Sequence, residues 1–181
     1  MSIIVYSPEE MVIIADRFVM HTDQIRDGVA DINFENTCKI HTSEDNHFAY
    51  CFEVTEEAKF MPVILNFLKR FESGLLEKDE KLNIPDKPKF TVGVMSHRHF
   101  YVIDNSVKNK VTIQHTVWSN HYTETLVYKA IRLPALKIWQ TIHELTGIAH
   151  SLDYDIVRGK SLTPIKKAPK AKKEKQEETA K

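Results

Sequence analysis

The chain predicts an α+β domain in which stacked antiparallel sheets are covered by helices. Three observations lead there. Two short, uniformly apolar runs open the chain, turn-separated strand pairs fill its middle, and helical periodicity arrives in blocks rather than alternating with single strands. At 181 residues the chain has the length of one domain with a sizeable core, and 42% hydrophobic content with zero formal net charge suits an ordinary globule. No repeat with a period of about 20–50 residues is present, which removes solenoid architectures.

The first expected strand is residues 2–6, and the second, residues 11–15, ends on Asp16-Arg17. The polar turn Ser7-Pro8-Glu9-Glu10 lies between them. Residues 18–37 read as a looser stretch. A hairpin follows over residues 38–42 and 47–54, turning through Ser43-Glu44-Asp45-Asn46. Thr55-Glu56-Glu57 looks like a helix start, with a capping hydroxyl and carboxylates in the first turn. Phe60, Ile64, Leu65, Leu68, Phe71 and Leu75 then recur at helical spacing. Pro62 interrupts that pattern, so the helix either kinks there or begins close to it.

Residues 77–89 form a charged linker. Residues 90–95 and 100–104 read as a second hairpin turning through Ser96-His97-Arg98-His99, and residues 111–118 as a further strand. Helices are expected at residues 122–132 and 134–146, with Gly147 as the stop. Residues 154–158 and 162–165 would close the sheets as short strands.

Charge is uneven. Residues 166–181 hold seven lysines and three glutamates, a net of +4, so residues 1–165 carry −4. This lysine-rich tail has no aromatic and little to bury, so it is expected to be disordered, beyond a single domain spanning residues 1–165. A solvated solubility tail is the favoured reading, and nucleic acid is an expected partner only through this tail. No apolar run approaches the ~20 residues of a membrane span, and the first strand has neither a basic leader nor a cleavage signature. Two cysteines cannot build a disulfide framework, so a cytoplasmic, reduced setting is expected.

The N-terminus carries the chemistry. Removal of Met1 would leave Ser2 with a free α-amino group, which titrates near ~8 and can serve as a base close to neutrality. Asp16 and Lys39, at two strand ends, would complete a kit for acyl transfer. Each residue also has a plainer use. Serine at position 2 permits methionine removal, an aspartate at a strand end caps turns, and an edge lysine deters strand pairing. The register tests the set: catalysis requires Ser2 across from Asp16 and Ile4 across from Ile14, hence a five-residue turn over residues 7–11, and a slip sends Asp16 to the other face.

Other candidates are weaker. His97 and His99 fall in a turn with no third ligand at zinc spacing, and His143-Glu144 with His150 lacks the pair of a zinc-protease helix. Cys38 and Cys51 would face each other across the first hairpin as a packed, reduced pair, and a Cys51–His47 pair has no third member. No cofactor or metal is expected.

Ser2-Ile3-Ile4-Val5, the strand ending Ala15-Asp16-Arg17, and Lys39-Ile40 before a turn and a strand together resemble the proteasome β-subunit and its bacterial relative, the peptidase partner of an ATP-driven unfoldase. Both are N-terminal nucleophile hydrolases, and small relatives of this type also occur in phage genomes. The resemblance covers most of residues 2–165. It takes in Trp118-Ser119-Asn120-His121-Tyr122, at the family's turn before its third helix, and residues 151–157, at its late serine-containing loop.

The resemblance implies a four-layer α/β/β/α sandwich and hydrolysis of amide or peptide bonds. Ser2 would take the place of the nucleophile, threonine in most of the family. Asp16 would orient the amine and the lysine, and Lys39 would lower the nucleophile's proton affinity. Ser151 or Asp153 would be an accessory group. Assembly into a homo-oligomer and a peptide or protein substrate are implied in the same way. The chain departs from the family in the strand after Lys39, where glycines give way to Tyr50-Cys51-Phe52-Glu53-Val54-Thr55. A backbone oxyanion donor survives that change, but a nearby carboxylate repels a developing oxyanion. The alternative is a catalytically silent member kept as a binding or assembly protein.

Overall fold

The computed structural model describes residues 3–26, 29–51, 57–107, 110–120, 133–147 and 153–169, with residues 18–36, 57 and 110 described by their backbone alone. The strands are β1 (Ile4–Ser7), β2 (Val12–Asp16), β3 (Phe18–Arg26), β4 (Val29–Asn36), β5 (His41–Thr42), β6 (Phe48–Cys51), β7 (Thr91–Ser96), β8 (Phe100–Asp104), β9 (Lys110–Ile113), β10 (Trp118–Ser119) and β11 (Tyr154–Arg158). The helices are α1 (Met61–Ser73) and α2 (Ala135–Thr146). All pairing is antiparallel: a four-stranded sheet in the order β10-β1-β2-β11, a five-stranded sheet β5-β6-β7-β8-β9, and the two-stranded ribbon β3-β4.

Three apolar clusters stack these elements into four layers. Ile3, Val5, Val12 and Ile14 point to one side of the four-stranded sheet and meet Ile138, Trp139 and Ile142 of α2. Ile4, Tyr6, Ile13 and Ala15 point to the other side and meet Ala49, Cys51, Met95 and Phe100 of the five-stranded sheet. The far face of that sheet, through Phe48, Val92, Val94 and Tyr101, packs on Met61, Ile64 and Leu68 of α1. The expected α/β/β/α order is therefore present.

The helices end where local chemistry dictates. Pro62 sits in the first turn of α1, where its missing N–H leaves no bond unmade, so the helix begins beside it rather than kinking. Gly74 and Gly147 close the two helices in left-handed conformation, with φ of 75° and 61°. The charged linker is fastened by buried Asn105, whose amide donates to the Pro85 and Pro88 carbonyls while its oxygen accepts from Phe90 N–H.

Several expectations are corrected. The β1–β2 hairpin pairs Ile4 with Ala15 and Ser7 with Val12, so its turn has four residues (8–11) and Ile3, not Ser2, comes across from Asp16. Ser7 Oγ accepts the Glu10 N–H and Met11 takes a left-handed φ of 49°, which closes the turn one residue early. The stretch read as loose is the long β3–β4 hairpin. The single strand expected over 111–118 is two: β9 stays in the five-stranded sheet and β10 crosses to β1.

Residues 162–165 form no strand. They cross the end of the sandwich, with Thr163 N–H on the Asn46 carbonyl and Leu162 buried between the sheets. Residues 166–169 continue this path, and Ala168 N–H meets the Ser73 carbonyl. Cys51 lies across from Ile40 in the register of the β5–β6 hairpin, so the two cysteines do not face each other. The helix expected at 122–132 and residues 170–181 of the tail lie outside the described residues.

Candidate active site

β2 delivers Asp16 to the end of the four-stranded sheet, where its side chain is fully buried. A buried carboxylate needs a partner for each oxygen, since its desolvation otherwise exceeds what folding supplies. Oδ1 accepts the Ile3 N–H at 2.7 Å, and Oδ2 accepts Lys39 Nζ at 2.6 Å. Lys39 arrives on the extended segment before β5 with only 11% of its side chain exposed. The register that the sequence reading required for catalysis is absent, yet Asp16 and Lys39 remain paired. The observed register places the carboxylate on the amide that follows Ser2 in the chain.

Neighbouring bonds fix this end of the sheet. The Arg17 guanidinium chelates Asp155 with contacts of 2.8 and 3.0 Å, and its N–H donates to the Asp153 carbonyl at 3.1 Å. Thr37 N–H donates to the Arg17 carbonyl at 2.8 Å, which anchors the segment carrying Lys39. Asp153 therefore reaches this end through its backbone, with its side chain exposed to solvent. Ser2, Ser151 and residues 52–56 lie outside the described residues.

The thiols are quiet neighbours. Burial is the largest cause raising the Cys38 thiol, reinforced by the hydrogen bond to Asp155. Cys51 is fully buried and burial drives its thiol far up, so it has no nucleophilic character near neutrality. Its N–H donates to the Tyr6 hydroxyl at 3.0 Å, which donates in turn to the Gly93 carbonyl at 2.9 Å, tying the two sheets together beneath the site.

Sequence reading missed two side chains that reach the start of β1. Asn120 Oδ1 accepts the Ile4 N–H at 2.9 Å, and buried Trp139 donates its indole N–H to the Ile3 carbonyl at 3.2 Å. They come from 116 and 136 residues away, so no local pattern announces them. Two histidines serve the fold. His47 Nδ1 donates to the Thr163 carbonyl at 2.8 Å and His97 Nδ1 to the Leu162 carbonyl at 3.1 Å. Among the described residues no group of three His, Cys, Asp or Glu side chains is placed to hold a metal ion. None of their helices is long and apolar enough to cross a membrane.

No family model matches the chain, and no curated protein matches it. Among solved structures, the crystal structure of eukaryotic HslV from Trypanosoma brucei aligns with a TM-score of 0.55 and 16% sequence identity, covering 86% of this chain and 97% of that one. At that identity the likeness speaks for architecture. The chain has an α+β sandwich fold like that of HslV.

Proposed function

We propose that this chain is an N-terminal nucleophile hydrolase of the proteasome β type, cleaving amide or peptide bonds through Ser2 after loss of Met1. The observation that carries this reading is the buried carboxylate of Asp16, shared between Lys39 Nζ and the amide following Ser2. Ser2 Oγ attacks the carbonyl carbon of the scissile amide while its proton passes to the chain's own α-amine. The tetrahedral intermediate collapses to an ester on Oγ as the amine leaving group takes that proton. Water, deprotonated by the same α-amine, then releases the acid and restores Ser2. The Lys39 charge favours the developing alkoxide, and Asp16 holds both the lysine and the backbone behind the nucleophile. Asp153 and Ser151 are the accessory residues of this reading.

Within this reading the protein is cytoplasmic and akin to the phage relatives. It works as a homo-oligomer on peptide or protein substrates, with one catalytic domain at residues 1–165 and a solvated lysine-rich tail. The second reading, a silent member kept for binding or assembly with the tail as tether, draws support from Glu53 and the missing glycines beside it.

Intact mass separates the two at once, because a chain retaining Met1 has no free Ser2 amine. With Met1 absent, a β-lactone or peptide epoxyketone probe should label the wild type and spare Ser2→Ala. A wild type that is processed yet refuses both probes would sink the hydrolase reading and leave the binding one.

A further inference from the structure

We infer that Asn120 and Trp139 are positioning residues that set the aim of Ser2, an inference resting on the hydrolase reading above. The observation is a symmetry in how β1 ends. On its β2 side the ladder pairs Ile4 with Ala15, and the next rung joins Ile3 to Asp16. There Asp16 N–H donates to the Ile3 carbonyl at 3.2 Å, but Ile3 N–H turns to the side-chain Oδ1 instead of a main-chain carbonyl. On its β10 side the ladder pairs Val5 with Ser119, and the next rung would join Ile4 to Asn120. There too Ile4 N–H finds a side-chain oxygen, Asn120 Oδ1 at 2.9 Å. Both neighbours thus hold the end of β1 with side chains at the rung where the ladder stops.

Peptide units are planar, so each of these bonds fixes a six-atom plate rather than one atom. The plate joining Ile3 to Ile4 is held at both edges: Asn120 takes its N–H, while Trp139 Nε1 and Asp16 N–H, each at 3.2 Å, share its carbonyl. The plate before it, which contains the Ser2 carbonyl, is held by Asp16 through Ile3 N–H. With both plates fixed, the backbone to which Ser2 is joined has one direction. Asp16 clamps the first plate, and Asn120 and Trp139 join its N–H in clamping the second. Trp139 is itself immobile, fully buried and packed on Tyr154 with ring centroids 5.1 Å apart. Asn120 directly follows Ser119, so one stretch of chain supplies both the last rung of β10 and this clamp.

The test uses the full-length chain, with Met1 removal verified by intact mass and a β-lactone probe whose acylation of Ser2 is resolved into binding and chemical steps. The variants are Asn120→Ala, Asn120→Asp, which keeps an acceptor oxygen, and Trp139→Phe, which removes the indole N–H donor together with part of the buried ring volume. Exchange of the Ile3 and Ile4 amide protons is followed in parallel by NMR. Asn120→Ala should slow the chemical step about 10- to 100-fold while changing probe affinity less than about threefold, as misaimed nucleophiles do. Asn120→Asp should recover most of that loss, and Trp139→Phe should slow the step about 3- to 10-fold. A residue that merely supported folding would lower stability without this split between rate and affinity. An Asn120→Ala variant that acylates at the wild-type rate overturns the proposal. Should the processed wild type fail to acylate at all, the hydrolase reading falls by itself and the amide protons decide. Faster exchange in Asn120→Ala confined to Ile3 and Ile4 upholds the clamp, and unchanged exchange removes it.

Discussion

Lys39→Met deletes the cation facing Asp16 and keeps most of the aliphatic stem. The pair it breaks is 2.6 Å long, with the Asp16 side chain fully buried and that of Lys39 11% exposed. Removing one partner of a buried ion pair costs about 3–5 kcal/mol, because the remaining charge stays desolvated without compensation. Asp16 retains the Ile3 N–H, and the slight exposure of Lys39 admits some solvent, so the lower end, ~3 kcal/mol, applies. For a domain of this size each kcal/mol moves the melting temperature by about 2–4 °C, so a fall of about 6–12 °C is expected.

With a urea slope of about 2 kcal/mol/M, the denaturation midpoint should drop by ~1.5 M. Asp16→Asn keeps an acceptor for Ile3 but abolishes the attraction. Combining both changes removes charge from both ends of the contact. A double-mutant cycle over these variants should then return a coupling of about 2 kcal/mol or more. Urea unfolding at pH 7 measures all four proteins. If Lys39→Met costs under about 0.5 kcal/mol, or the two changes simply add, solvent screens the pair and it does not act as a buried unit.

Three more outcomes follow from the same packing. A Cβ at Gly93 would fall 2.7 Å from Tyr6 Cζ and 3.0 Å from Phe100 Cε2, and Tyr6 cannot retreat from its two hydrogen bonds. Gly93→Ala should therefore lose about 2–3 kcal/mol in urea unfolding, and a loss under about 0.5 would mean that the Tyr6 ring gives way. Burial acts to raise the Asp45 carboxyl, but Lys69 at 2.6 Å, the Ser43 hydroxyl and the His47 N–H outweigh it and hold the group at about 2. Because the folded value is depressed, wild type should exceed Asp45→Asn by about 1 kcal/mol or less near neutrality, a screened surface contribution. That margin should vanish as pH falls from about 4 to 2, and a constant margin across that range would refute the assignment. Finally, Cys38 is exposed and Cys51 buried, so a disulfide reagent should count one thiol in the native chain and two in denaturant. Two reactive thiols under native conditions would contradict the burial of Cys51.

The candidate site was partly legible because its charged members flank strands. Asp16 ends an unbroken apolar run and Lys39 precedes the next short hairpin, so their order along the chain was visible without a structure. Their bonding was not. The expected register set Ser2 against Asp16, yet the hairpin closes one residue tighter and joins Ile3 to Asp16. Periodicity had no means of choosing, since β1 and β2 are buried on both faces and are apolar throughout, and a slip exchanges one hydrophobic face for another. Conformation decided it, through the Ser7 hydroxyl and the left-handed backbone at Met11.

By itself, then, the amino-acid order determined what depends on neighbours in the chain. That includes the apolar strands, the helix stop at Gly147 and the layered α+β class, whereas the start of α1 at Met61 was left open between Thr55 and Pro62. Tertiary structure alone decided what depends on partners far away. Residues 110–119 divide between two sheets because one strand direction cannot serve both layers, and β10 then carries Asn120 to Ile4. Trp139 reads locally as one more apolar residue on a helix, and only the packing of α2 on the four-stranded sheet aims its N–H at Ile3. Local propensities act over a few residues, whereas hydrogen bonds across more than a hundred exist only once the layers have closed.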